Sequence, residues 1–206
     1  MTNTTARPQR RPRSDGIRSR RAILLAAARL ATTRGLDNLS IADLAGHVGM
    51  SKSGLFAHFG SKEELQLATI ETASEIYDSE VLEPALRAAP GIDRLVALAD
   101  AFIDHLERRV FPGGCFFASA MGSLGDREGP VRERIAGFQT SWMALLTEQV
   151  RLAREAGSLP PDEDVDQLVF EVESYLLTAH TTFTVLGDPR VLERAKRAVR
   201  RRLAVD

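Results

Sequence analysis

The chain has 206 residues, 44% hydrophobic and 27% charged, with a net charge of −1, a globular balance that excludes a disordered or fibrous protein and suffices for a sizeable core. The charge is unevenly placed: residues 1–21 hold seven arginines against one aspartate, and a basic front on an acidic body marks one end for a polyanion. One cysteine, Cys115, leaves no intrachain disulfide, and there is neither a secretory apolar core nor a run near the roughly 20 apolar residues of a membrane span, so a cytoplasmic protein without a membrane partner is expected.

Residues 1–14 are rich in Thr, Pro and Arg without apolar periodicity, and a disordered basic arm is expected over 1–17. Helical spacing begins at Ile23, Ala27 and Leu30, and Gly35 stops it after Arg34. Ser40 caps a short helix from Ile41 to Val48, with Asp43 at the box position. Gly49 and Met50 form a turn, and Ser51 caps a second short helix that ends at Phe59 and Gly60. Ser61-Lys62-Glu63-Glu64 reads as a capping box, Glu64 reaching back, and opens a longer helix that fades near Pro84.

Past the break at Pro90-Gly91, Leu95, Ala99, Phe102, Leu106 and Val110 mark a helix ending before Pro112-Gly113-Gly114. Phe116 to Leu124 forms a short one. Val131, Ile135, Phe138, Trp142, Leu145 and Val150 define a long helix closed by Gly157, and Leu168 to Leu186 define the next, closed by Gly187. Asp188-Pro189 caps a final basic helix through Leu203. No strand pair or internal repeat is visible. The fold class is all-α, with about nine helices.

Two short helices joined by a tight glycine turn make the helix-turn-helix pattern, whose second helix enters the DNA major groove. In that second helix Ser51, Lys52, Ser53, Gly54 and His58 form a small polar surface, while Leu55 and Phe59 repeat at core spacing. Gly54 costs a helix roughly 1 kcal/mol against alanine. It marks either a frayed end or, the favoured reading, a close approach of backbone to DNA. Lys62 sits in a first helical turn, where the dipole disfavours a cation. It is either a solvated lysine offset by Glu63 and Glu64 or, with free backbone N–H groups, a phosphate ligand.

Residues Leu39 to Leu65, LSIADLAGHVGMSKSGLFAHFGSKEEL, resemble the signature of the tetracycline-repressor (TetR/AcrR) family. The match is dense in Ile41-Ala42-Asp43-Leu44-Ala45, Val48, Ser51, Gly54, Leu55, Phe59 and Ser61 to Leu65, and extends over 18–65 with the preceding helix. The resemblance implies a nine-helix homodimer that contacts a palindromic double-stranded operator through the second short helix. Carried over by position, Ser51, Lys52, Ser53, Gly54, Phe56, Ala57 and His58 line the DNA face, with Ser40 and Lys62 at phosphate-contacting positions. His58 otherwise reads as a helix-end cap. Phe56 departs from the family, which usually has a tyrosine there. The implied division is an arm over 1–17, a helix-turn-helix domain over 18–65 and a ligand-binding and dimerisation domain over 66–206. The last two helices, 166–187 and 189–203, are the family's usual dimer elements.

In the larger domain Phe102, Phe116, Phe117, Met121, Trp142, Tyr175 and Phe183 are candidates for a ligand cavity, joined by the polar groups of His105 and His180. Each one taken singly reads as readily as core. Cys115 has no second cysteine to resolve it and no adjacent cation, so buried packing is expected rather than redox sensing. The four histidines show no metal-ligand spacing, and neither metal nor cofactor is expected. Arg194, Lys196, Arg197, Arg200, Arg201 and Arg202 suit the negative end of the last helix, read as a solvated face with a second DNA or acidic-partner contact as the alternative. The reading is a repressor released from operator DNA by a small-molecule effector. One alternative gives the C-terminal domain a protein partner. The other is a helical enzyme, for which no phosphate loop, nucleophile elbow or paired-acid motif speaks.

Overall fold

The computed structural model describes residues 12–126 and 128–205. Nine helices follow one another without a strand among the described residues. Helix α1 spans Pro12–Arg34 and a 3-10 turn Leu36–Asn38; α2 is Ile41–Val48, α3 is Lys52–Phe59 and α4 is Lys62–Tyr77. Without a break α4 continues through a five-residue π-helical turn, Asp78–Leu82, into Glu83–Ala85. Then come α5 (Ile92–Glu107), α6 (Phe116–Ser123), α7 (Pro130–Glu155), α8 (Val165–Leu186) and α9 (Arg190–Arg202).

The basic arm expected over 1–17 lies, for residues 1–11, outside the described residues. From Pro12 onward the chain is already α1 rather than an arm, because a proline at the first helical position gives up an N–H that has no acceptor there. Ile23, Leu24, Ala27, Ala28 and Ala31 are buried along one stripe of α1, which packs on α4, α6 and α2. The buried side chains form one continuous core from Ile23 to Leu203, so the small N-terminal domain shares its apolar interior with the larger one. Leu44, Leu55 and Leu65, all fully buried, bring one side chain each from α2, α3 and α4 into that interior.

The basic last helix is not simply a solvated face. Leu192, Ala195, Val199 and Leu203 are buried, which places the neighbouring cations over acids on α5, α8 and the loop before α8. Lys196 meets Asp104 at 2.9 Å, Arg200 grips both oxygens of Asp100 at 2.9 and 2.7 Å, and Arg202 binds Glu163 at 2.7 Å and also Glu171. These part-exposed pairs contribute about 0–1 kcal/mol apiece, and they commit three of the six cations to the fold. Arg194, Arg197 and Arg201 are exposed. The cap shifts by one residue: α9 starts at Arg190, whose N–H donates to Asp188 at 3.0 Å.

Candidate nucleic-acid interface and ligand cavity

The three caps expected in the first 65 residues are made. Ser40 Oγ accepts the Asp43 N–H at 3.1 Å, Ser51 Oγ the Gly54 N–H at 3.1 Å, and Ser61 Oγ the Glu64 N–H at 3.0 Å. Gly49 takes the left-handed conformation, φ 68°, that turns α2 into α3 at no steric cost. The reciprocal half of the Ser61 box differs from expectation: the Ser61 N–H donates to the Phe59 carbonyl at 2.7 Å. Gly60, at φ 69°, folds the chain tightly enough to bring that acceptor into reach.

Helix α3 is two-sided. Leu55 and Phe59 are buried, while Ser51, Lys52, Ser53, Phe56 and Ala57 share the exposed face and Gly54 and His58 are half-buried at its edges. Phe56 is 55% exposed, so it belongs to the outer surface and not to the small domain's core. Gly54 has a local reason as well as a DNA-facing one, since a Cβ there would sit 3.1 Å from the capping Ser51 Oγ. The His58 carbonyl at the end of α3 accepts from Arg20 Nη1 at 2.7 Å, and the Arg20 guanidinium lies 4.5 Å from the Phe59 ring centroid. A cation from α1 thus holds the negative end of α3. Sequence reasoning missed Arg20, because only the crossing of α1 over α3 gives it that task.

Lys62 is exposed, and its Nζ donates to the Asp37 carbonyl. One helical turn on, Gln66 Nε2 donates to the Leu36 carbonyl at 2.8 Å. These two side chains clamp the 3-10 turn onto the start of α4. Ser40 is half-buried, and its hydroxyl also meets the Asp43 carboxylate at 2.5 Å.

A cavity of about 570 Å³ opens between α4 and α7, a size suited to a drug-sized molecule. Ile70, Tyr77, Phe117, Phe138 and Trp142 form its apolar wall, and Glu71, Asp78, Glu133 and Arg134 its polar lining. A separate small space of about 20 Å³ lies on the other side of that wall, beside Phe102, Cys115, Met121, Gln139 and Glu173. Of the candidate ligand residues, Phe117 and Trp142 line both spaces and Phe102 and Met121 the small one. His105, Phe116, His180 and Phe183 are buried and Tyr175 half-buried, and none of these five lines either space. Tyr77 and Phe138 were missed, and nothing in the spacing of an apolar stripe separates cavity wall from core.

Tyr77 is the centre of that wall, its ring edge-on to Phe138 at 4.9 Å, Trp142 at 5.8 Å and Phe117 at 6.1 Å between centroids. It is 3% exposed. Burial first, then the acids Cys115, Glu173 and Asp78, push its hydroxyl well above the usual tyrosine range, so it stays a protonated donor. Glu173 accepts from Trp142 Nε1 at 2.8 Å and from Gln139 Nε2 at 3.2 Å. The π-helical turn in α4 starts at Asp78 and ends at Leu82, both at the cavity, a placement such turns often have at functional sites. Cys115 is buried, and burial pushes its thiol up to about 11, which fits packing and not redox chemistry.

The loop before α6 joins the two domains. The Gly113 N–H donates to Thr32 Oγ1 of α1 at 3.2 Å, and a Cβ on Gly113 would fall 2.0 Å from the Thr32 carbonyl. Gly114, at φ +84°, lies against His180 and Thr184 of α8. Among the described residues no three His, Cys, Asp or Glu side chains gather as metal ligands, and no helix is long and apolar enough to cross a membrane.

Comparison with known proteins agrees with this arrangement in both halves. Residues 23–69 match the family model described as bacterial regulatory proteins, tetR family, and residues 91–199 match the tetracyclin repressor-like C-terminal domain. The chain is 30% identical over 168 residues to the nucleoid occlusion factor SlmA of Vibrio cholerae, covering 78% of this chain and 83% of that one. A TetR transcriptional regulator from Chloroflexus aurantiacus superposes with a TM-score of 0.84 at 24% identity, over 93% of this chain and 96% of the other. The structure of AibR in complex with isovaleryl coenzyme A and operator DNA superposes with a TM-score of 0.72 at 23% identity, over 86% and 95%. With a helix-turn-helix at one end and the matching all-helical domain over more than half its length, the chain belongs to the tetracycline-repressor family of transcription regulators.

Proposed function

We propose that this regulator is a repressor that grips a palindromic operator as a homodimer and lets go when a small molecule fills the α4–α7 cavity. The observation that carries this reading is the course of α4. Its first turn, with Lys62 and Gln66, is clamped to the DNA-binding domain, and its later turns, from Leu67 to Tyr77, wall the cavity. One rigid element therefore touches both sites, and a ligand that pushes on it changes the seat of α3.

The DNA face consists of Ser51, Lys52, Ser53, Gly54, Phe56, Ala57 and His58, with Ser40 and Lys62 towards the phosphates. The exposure of Lys52, Phe56 and Ala57 supports it. The ligand residues are revised to Tyr77, Phe117, Phe138 and Trp142, with Phe102 and Met121 behind them. Support for the dimer comes from α8, where Phe170, Val185 and Leu186 are 64%, 75% and 68% exposed, apolar surface that a symmetry mate would cover. AibR, similar in fold, was crystallised with isovaleryl coenzyme A and operator DNA.

Footprinting on genomic fragments selected by the protein tests the reading. Two protected half-sites related by a two-fold axis are expected, their centres one helical turn of about 34–36 Å or a multiple apart. A single asymmetric half-site bound by a monomer would contradict it.

A further inference from the structure

We propose that the α4–α7 cavity takes a bulky apolar cation, an aromatic or alicyclic body carrying one positive charge, rather than an organic anion. The proposal rests on the reading of this cavity as the effector site and names the ligand's class. Its first support is shape and surface. The wall is built from Tyr77, Phe117, Phe138 and Trp142, and aromatic faces attract cations as well as hydrocarbon. About 570 Å³ admits a body of several rings.

Its second support is charge. Three carboxylates line the cavity, Glu71, Asp78 and Glu133, against one cation, Arg134. That cation is already taken by Glu71 in an ion pair between α4 and α7. Asp78 and Glu133 have no cationic partner among the described residues. Desolvation first, and then the like charges of Glu83 and Glu75, hold the Asp78 carboxyl up. Behind the aromatic wall, Glu173 adds another carboxylate, hydrogen-bonded to Trp142 and Gln139. A carboxylate, phosphate or sulfonate ligand would meet repulsion from each of these groups. A cation would meet Asp78 and Glu133 at the mouth and aromatic faces within.

Tetraphenylphosphonium and tetraphenylborate test this, because they share a shape and differ in the sign of charge. Each is titrated into the DNA-free protein, with Trp142 fluorescence as the readout, since Trp142 is the single tryptophan and lines the cavity. Roughly tenfold tighter binding of the phosphonium is expected at low salt, narrowing as salt is raised. The double variant Asp78→Asn, Glu133→Gln changes two exposed side chains and should erase most of that preference. Glu133→Lys alone should favour the borate. Equal or tighter binding of the borate to the unaltered protein, or no response of Trp142 to either ion, would overturn the proposal. Phosphonium binding that leaves operator affinity unchanged would uphold the ligand class and count against release by the cavity, so the two readings fail separately.

Discussion

Phe56 stands on the outer face of α3 with more than half its surface in water, where the tetracycline-repressor signature usually carries a tyrosine. Phe56→Tyr adds a hydroxyl on a side with room for it, so the melting temperature should stay where it is. A hydrogen bond to a charged oxygen is worth about 1.5–3 kcal/mol at best and less where water competes, so operator binding should tighten by at most about tenfold. Cognate and altered operators should gain alike, because phosphates carry no sequence information. Anisotropy titrations on both duplexes check this, and weaker binding would remove Phe56 from the DNA face. His105 makes a different kind of prediction. It is 1% exposed, neither ring nitrogen has a partner, and burial is the main cause holding its pKa down to about 4, opposed by Glu80 and aided by Arg108 and His180. The unfolded chain protonates His105 near pH 6.5, the folded one only near 4, so the unfolded state binds more protons between those values. Stability is therefore full above about pH 6.5 and falls as the pH drops towards 4, by about 2–3 kcal/mol from this residue. Burial lowers His180 in the same direction. Urea unfolding at pH 7 and pH 4.5 should show a smaller loss for His105→Leu than for the unaltered chain.

At the scale of elements, the start of α4 does two jobs that a charge-neutral substitution separates. Lys62 clamps the Asp37 carbonyl in the free chain and, in the proposed function, meets a phosphate when DNA arrives. Lys62→Gln keeps a donor for the carbonyl and drops the charge. The melting temperature should hold, while the slope of log affinity against log salt should fall by about 1 per subunit. An unchanged slope would leave Lys62 with the clamp alone. The loop before α6 is equally specific. Gly113→Ala drives a Cβ into the Thr32 carbonyl of α1, and overpacking of this kind costs about 1–3 kcal/mol, so thermal unfolding should shift down and operator affinity with it. Which elements exist was legible in the chain, because caps and 3.6-residue spacing are local: Ser40, Ser51 and Ser61 each accept from the residue three positions on. What lay beyond reach was non-local. The sequence shows Phe116, Phe183, Phe138 and Tyr77 on apolar stripes alike, and only the packing of α4 against α7 makes two of them wall and two of them core. The same holds for Arg20 on the end of α3 and for Arg200 on Asp100, 100 residues away.

Across the whole molecule, one apolar core runs from the DNA-binding end into the larger helical part. α1 packs on α4 and α6, α4 on α7, and the Gly113–Thr32 contact ties the loop beside Cys115 to the DNA-binding end. The cavity wall and the reading helix are joined by α4 and by this loop, so a molecule seated against Tyr77 and Trp142 has two paths to the position of α3. In a dimer paired through α8 and α9, a small tilt of α4 in each subunit alters the distance between the two copies of α3, and DNA tolerates little change in it. Thermodynamic linkage then requires that ligand and operator weaken each other by the same factor. The most direct measurement is that factor taken both ways, with a compound that quenches Trp142 in the free protein. Operator affinity is measured with and without the compound, and the compound's affinity with and without operator. The account predicts two equal losses, within the roughly 5–150-fold range of allosteric coupling. A compound that binds the cavity equally well in the presence and absence of operator would contradict it.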